Sequence, residues 1–142
     1  MKTKKERIIL FQGTFDLINM GHIEAFRLCK ESGGQLIVAL NTDKLIRSYK
    51  HREPVLPYTH RKIILEAIKY IDRVVPASHF SPLDLLKKHK ANVYAVGSEW
   101  VEAHQAEIKF IKENGGEIIV TPEFPGVIHS SEMRRRIIEM GK

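Results

Sequence analysis

The apolar run Ile8-Ile9-Leu10-Phe11 passes directly into Gly13-Thr14-Phe15-Asp16-Leu17-Ile18-Asn19-Met20-Gly21-His22 and then into a helical pattern. A buried strand, a tight turn and a helix opening on Gly-His leave few arrangements: the strand belongs in a covered sheet and the helix returns over one face of it. The same alternation continues along the chain. Strands are expected at residues 7–12, 35–40, 73–76, 92–96 and 117–121, and helices at 21–32, 58–70, 82–90, 102–114 and near 131–140. Strands alternating with helices predict an α/β fold, a single doubly wound domain over residues 1–142 with a five-stranded parallel sheet.

Local punctuation supports that reading. Ser81-Pro82-Leu83-Asp84 has an N-cap Ser, Pro at the first helical position and a carboxylate in the first turn. Gly33-Gly34 and Gly115-Gly116 stand where helices end. The stretch 48–59 carries Pro54 and Pro57 and reads as a loop.

Composition narrows the class of partner. The longest apolar runs are four or five residues, too short to span a bilayer. The basic stretch 1–7 runs straight into a strand and lacks the apolar segment of a secretory signal. The single cysteine, Cys29, forms no internal disulfide and sits in a helical pattern as a small core residue, which fits a reduced cytoplasm. A net charge of +6 calls for an anionic partner. The basic residues are dispersed, with no interleaved aromatics, so a nucleoside triphosphate is expected rather than nucleic acid or membrane.

Ligands of doubly wound sheets sit beyond the carboxyl ends of the strands, and four clusters fall there. Asn19 and His22 lie three apart at a helix start, on one face, where a phosphate meets the amide groups and the positive end of the dipole. Asp16, beside them, is expected to bond its own backbone in the turn. A second, basic cluster holds Lys44, Arg47, Lys50, Arg52 and Arg61, with Lys44 and Arg47 equally readable as a solvated face. In the third, Gly97 lets a ligand approach the backbone and Ser98 or Glu99 could bond a base or ribose; the alternative is a simple strand-to-helix turn with Trp100 packed beneath it. In the fourth, Ile128-His129-Ser130-Ser131 opens a last helix, whose hydroxyls and amides can grip phosphate, and Arg134-Arg135-Arg136 add charge. Zinc-ligand spacing, a GxxxxGK[ST] loop and a GxSxG elbow are all absent from the sequence.

Residues 13–22 resemble the GTFDxxHxGH signature of the cytidylyltransferase-like nucleotidyltransferases. Taken together the four clusters resemble the glycerol-3-phosphate cytidylyltransferases over residues 7–137. The segment His60-Arg61-Lys62-x-Ile64-Leu65-Glu66-x-Ile68-x-Tyr70-x-Asp72-x-Val74-x-Pro76 is similar to theirs, as are the turn at 97–100 (to a GDDW type) and the segment 127–131 (to a GISTT phosphate loop). The resemblance implies a Rossmann-like fold, a homodimer, CTP with Mg²⁺ as cosubstrates and release of pyrophosphate. Departures are Asn19 for the first signature His, Ser98 and Glu99 for two Asp residues, Phe124 where an Arg usually opens the C-terminal loop, and no matching Lys in 82–90.

Those likenesses give the expected roles. Gly13, Thr14, Phe15 and Gly21 would frame the phosphate loop, with His22 and Asn19 donating to the α-phosphate. Gly97, Glu99, Ile128, His129, Ser130 and Ser131 would bind the nucleotide. Arg61, Lys50 and Arg52 would orient a phosphorylated acceptor, and Mg²⁺ would be held mainly by the triphosphate. Two alternatives remain open at this level: an ATP-using transferase acting on FMN, a sugar phosphate or pantetheine phosphate, and a nucleotide-binding regulator without turnover.

Overall fold

In the computed structural model residues 6–142 are described; the first five residues of the basic N-terminal stretch lie outside the described residues. Five strands, β1 (Ile8–Gly13), β2 (Gln35–Asn41), β3 (Arg73–Ala77), β4 (Val93–Gly97) and β5 (Glu117–Thr121), form one all-parallel sheet in the order β3-β2-β1-β4-β5. Six α-helices connect and cover them: α1 (Met20–Glu31), α2 (Asp43–Lys50), α3 (Tyr58–Glu66), α4 (Leu83–Lys88), α5 (Gln105–Glu113) and α6 (Ser130–Met140). This is the expected doubly wound, Rossmann-like α/β architecture.

Strand periodicity divides the core in two. Ile9, Phe11, Leu36, Val38, Leu40, Val93 and Ala95 face one layer with Phe26 and Cys29 of α1 and Leu65 of α3. Their neighbours Leu10, Ile37, Ala39, Val75, Tyr94 and Val96 face the other, against Leu86 of α4 and Ile108 and Ile111 of α5. A sheet buried on both sides explains why its strands read as unbroken apolar runs. Each large side chain so enclosed contributes about 1.5–3 kcal/mol. Cys29 is fully buried, as expected, and burial pushes its thiol up to about 12, well away from reactivity.

The elements differ from the sequence reading at particular ends. Residues 48–50, expected in a loop, are helical. Thr42 caps α2 by accepting from Leu45 N–H, Asp43 sits in the first turn, and Leu45 and Ile46 are buried. Left-handed His51 then ends α2. The 102–114 helix begins with two 3₁₀ turns (Ser98–Trp100, Glu102–His104) before α5 proper. Ser81 accepts from Leu83 N–H, but its hydroxyl also donates to Glu107 at 2.6 Å and so ties α4 to α5.

Candidate active site

The strand order turns back between β1 and β4, and a cleft of about 380 Å³ opens at their carboxyl ends. Its wall takes residues from all sides of the switch point: Gly13 to Asp16 after β1, Gly97 and Glu99 after β4, Thr121 to Phe124 after β5, and His129, Ser130 and Arg134 from the start of α6. A volume of this size suits a nucleotide-scale ligand.

The loop between β1 and α1 is built around one ring. Phe15 adopts a left-handed φ of 47°, an uncommon and strained conformation for a bulky residue, and turns its side chain back beneath Gly13. A Cβ at Gly13 would lie 2.7 Å from Phe15 Cζ, so glycine is required there by the ring rather than by a ligand. Phe15 is buried against Phe11 and Phe26 and meets the imidazole of His22 edge-on at 5.5 Å. The strained loop thus holds His22 through its aromatic support.

Asn19 is the N-cap of α1. Its Oδ1 accepts from Gly21 N–H (2.9 Å) and His22 N–H (3.3 Å), while its own N–H donates to His22 Nδ1 (3.1 Å). This reciprocal pairing is a capping box in which a histidine takes the place of the usual Glu or Gln. Two consequences follow. The amides of Gly21 and His22, expected to meet a phosphate, are already engaged by Asn19. Because Nδ1 accepts, the neutral imidazole carries its proton on Nε2. Burial, and secondarily the nearby His129, lower the His22 pKa to about 4, so the ring is neutral at physiological pH.

Arg61 is not in the cleft, which corrects its expected role at an acceptor phosphate. Its side chain is fully enclosed, and its donors are spent on Leu56 O, Thr14 O, Asn41 O and the Asp43 carboxylate at 2.6 Å. It fastens the loop between β1 and α1 to the end of β2 and the start of α2. Asp16 likewise does not bond its own turn; its carboxylate accepts from Val55 N–H and Leu56 N–H at 2.7 and 2.8 Å, with Arg52 at 3.8 Å. The two residues together pin the 51–57 loop over the site.

Lys50 and Arg52 do line the cleft, joined by Arg134, which the sequence marked only as general charge. Half-burial lowers the Lys50 pKa, helped by the neighbouring Arg52 and Arg134. Cations crowded together against their own repulsion are what an anion site requires. Lys44 and Arg47 stay on an exposed face, where Arg47 pairs with Glu53. Arg135 and Arg136 pair with Glu132 and leave Arg134 alone of the three in the cleft.

The C-terminal loop divides. Ser130 lines the cleft but donates to Leu17 O at 2.9 Å, binding the loop to the entry of α1. Gly21 lets Val127 lie against α1, since a Cβ there would come within 3.0 Å of Val127 Cγ1. Ser131 and Ile128 are exposed and stand outside the cleft, so the expected pair of serines supplies one hydroxyl, not two. After β4, the Glu99 carboxylate folds back to 3.1 Å from where a Gly97 Cβ would be.

An aromatic wall went unread in the sequence. Phe80 stands between Tyr49 (5.4 Å, 63°) and Trp100 (6.1 Å, 67°) and stacks on His104 (4.9 Å). Trp100 is 42% exposed and lines the cleft rather than packing beneath the turn. Tyr49 is fixed by Thr14 Oγ1 and Asn41 Nδ2, and Gln12 Nε2 donates to Asn41 Oδ1 and to the carbonyls of His79 and Phe80. Phe80 follows β3 by three residues, and that strand-end position was the available signal.

A parallel sheet with a cationic, histidine-bearing cleft at its switch point defines an enzyme that handles phosphate esters. The chain belongs to the cytidylyltransferase-like family, whose model matches residues 10–136, and it is a nucleotidyltransferase. A glycerol-3-phosphate cytidylyltransferase of Staphylococcus aureus is 37% identical over 109 residues, 76% of this chain and 78% of that protein. An FAD synthase of Korarchaeum cryptofilum is 32% identical over 139 residues, 94% of this chain and 93% of that protein. Among solved structures, a lipopolysaccharide core biosynthesis protein from Thermoplasma volcanium shares the fold, with a TM-score of 0.68 over 83% of this chain and 96% of that one at 19% identity. Among the described residues no helix is long and apolar enough to cross a membrane.

Proposed function

We propose that the enzyme transfers CMP from CTP, bound with Mg²⁺, to the phosphate of a small phosphorylated alcohol and releases pyrophosphate. An acceptor phosphate oxygen attacks the α-phosphorus in line, and the bond between the α-phosphorus and the bridging oxygen to the β-phosphate breaks. Such a reaction needs positioning and charge neutralisation rather than a protein nucleophile. The observation that carries the reading is the pinned imidazole: His22 is held at Nδ1 by Asn19 N–H and keeps its proton on Nε2, in a cleft with Lys50, Arg52 and Arg134. A neutral donor in a partly dry site stabilises charge building on the α-phosphate, worth about 3–4 kcal/mol for one such contact.

Lys50 and Arg52 hold the acceptor phosphate in this scheme, and Arg134 with His129 holds the leaving pyrophosphate, while Ser130 keeps the loop on Leu17 O. Gly97 and Glu99 face the ribose or base. Mg²⁺ would be held mainly by the triphosphate, where it would neutralise phosphate charge. A second reading, transfer of AMP from ATP, is favoured by the 32% identity to an FAD synthase and by Ser98 and Glu99 replacing the two acidic residues of the GDDW-type turn.

The test is pyrophosphate release from CTP or ATP against a panel of phosphorylated alcohols, sugars and FMN, with the product identified by mass. CTP is expected to support turnover with a small phosphorylated alcohol. Turnover with ATP alone would establish the second reading, and none with either nucleotide would overturn both.

A further inference from the structure

We propose that α6 is a closing arm, with Ile137 and Ile138 as positioning residues that settle over the cleft once a triphosphate draws Arg134 inward. The inference rests on the nucleotidyl transfer proposed above and deepens it by giving that reaction a closing step. In α6 no residue is buried, and from Arg135 through Lys142 every residue is exposed. Among the described residues its one hydrogen bond to the rest of the fold runs from Ser130 Oγ to Leu17 O. The contact of Val127 with Gly21 comes just before the helix begins. Both anchors lie at the N-terminal end, so the helix is held at that end alone.

The two sides of the helix differ in what already occupies them. Glu132, Arg135, Arg136 and Glu139 share one side and pair among themselves. Ser130, Arg134, Ile137 and Ile138 recur at the spacing of the opposite side. That side enters the cleft at Ser130 and Arg134 and continues as an apolar stripe. Ile137 and Ile138 are 61% and 63% exposed, so nothing in the open arrangement covers the stripe. Apolar side chains in line with cleft-lining ones gain burial when the helix tilts toward the cleft.

Charge supplies the trigger. Arg134 pairs with no carboxylate among the described residues, unlike Arg135 and Arg136. It stands near Lys50, whose pKa is lowered first by burial and then by Arg52 and Arg134. Like charges around an empty cleft hold the arm away, and a triphosphate among them turns repulsion into attraction. Lys50 leads into the 51–57 loop, where Val55 has its N–H held by Asp16 and its side chain 54% exposed. That rim is the apolar surface on which Ile137 and Ile138 settle. A monophosphate lacks the β- and γ-phosphates that Arg134 draws on, and leaves the arm open.

The test follows amide hydrogen exchange of residues 133–140 with Mg²⁺–CTP, Mg²⁺–ATP or CMP and no acceptor. Fluorescence of Trp100, the sole tryptophan and a cleft residue, reports binding in the same samples. A triphosphate is expected to slow exchange in that segment by about tenfold or more, and CMP to leave it unchanged. The double variant Ile137→Ser with Ile138→Ser should unfold at the wild-type temperature without ligand, because both side chains are exposed. It should lose the triphosphate-dependent protection and raise the Kd for the triphosphate by about tenfold or more, with the Kd for CMP unchanged. Ile137→Leu with Ile138→Leu should keep both wild-type properties. Wild-type protection and Kd in the serine variant would overturn the inference, as would triphosphate binding with no change in exchange at 133–140. Protection that follows protein concentration rather than triphosphate would also overturn it, and would make the stripe an interface between copies of this chain. Absence of binding by either triphosphate would overturn the transfer reading itself, and the inference with it.

Discussion

Asn19 and His22 bond each other twice: the Asn19 N–H donates to His22 Nδ1 at 3.1 Å, and Asn19 Oδ1 accepts the His22 N–H at 3.3 Å. One residue is therefore the helix cap and the tautomer lock at once. Its place in the family signature belongs to a histidine, and the substitution exchanges a ring for a strong N-cap.

Removing the side chain tests the cap alone, because the N–H that holds His22 Nδ1 belongs to the Asn19 backbone and survives the substitution. Asn19→Ala is expected to lower stability by about 1 kcal/mol through the lost cap while keeping the His22 tautomer. Asn19→Asp should retain the cap and the stability. Denaturant unfolding read beside initial rates checks this; an Asn19→Ala variant with wild-type stability would contradict the capping role. Asn19→His should stay folded but gain no activity, since the site is arranged around a neutral amide; a gain of about tenfold, or 1.4 kcal/mol of barrier, would show that the amide is a handicap.

His22 gives the fold a pH dependence of known sign. Its pKa is depressed from 6.5 to about 4 in the folded protein, so between those values the unfolded chain binds the extra proton. Stability should rise with pH across that window, be complete above it, and fall by at most roughly 3 kcal/mol below it. Comparing denaturant midpoints of the wild type and His22→Gln from pH 4 to 7 isolates the effect. Identical slopes in the two proteins would contradict a buried neutral imidazole.

Arg61 should behave as a structural residue. With its side chain fully enclosed and four acceptors around it, Arg61→Met leaves three carbonyls without their donor, while the partly exposed Asp43 carboxylate turns to water. Leaving such acceptors unsatisfied is expected to cost about 1–3 kcal/mol. Thermal and denaturant unfolding should show the loss in the absence of any substrate. A variant with normal stability and a raised KM for the acceptor alone would return Arg61 to the phosphate.

Much of this molecule was legible because its constraints are local. Apolar runs such as 36–40 and 93–96 announced strands buried on both faces, and Gly33-Gly34 announced a helix end. What could not be read lay in pairings across the chain. Arg61 looked catalytic because a lone basic residue in a family-like segment carries no mark of burial; only Asp43, Thr14, Asn41 and Leu56 converging on it show its task. Helix α2 was missed because its two buried residues, Leu45 and Ile46, sit among charges. The aromatic wall joins Tyr49, Phe80 and Trp100 from three separate connections, a proximity with no linear signature.

The most direct measurement follows pyrophosphate release and phosphorus NMR of the product in wild type and His22→Ala, with Mg²⁺–CTP and the phosphorylated acceptors. The account expects the wild type to form a nucleoside diphosphate-linked product with one pyrophosphate per turnover. His22→Ala should fold, bind the triphosphate and turn over about 100-fold or more slowly, as for loss of one preorganised donor to transition-state charge. Turnover by His22→Ala at the wild-type rate would contradict the assignment of the cleft between β1, β4 and α6 as the place where the phosphoryl bond is made.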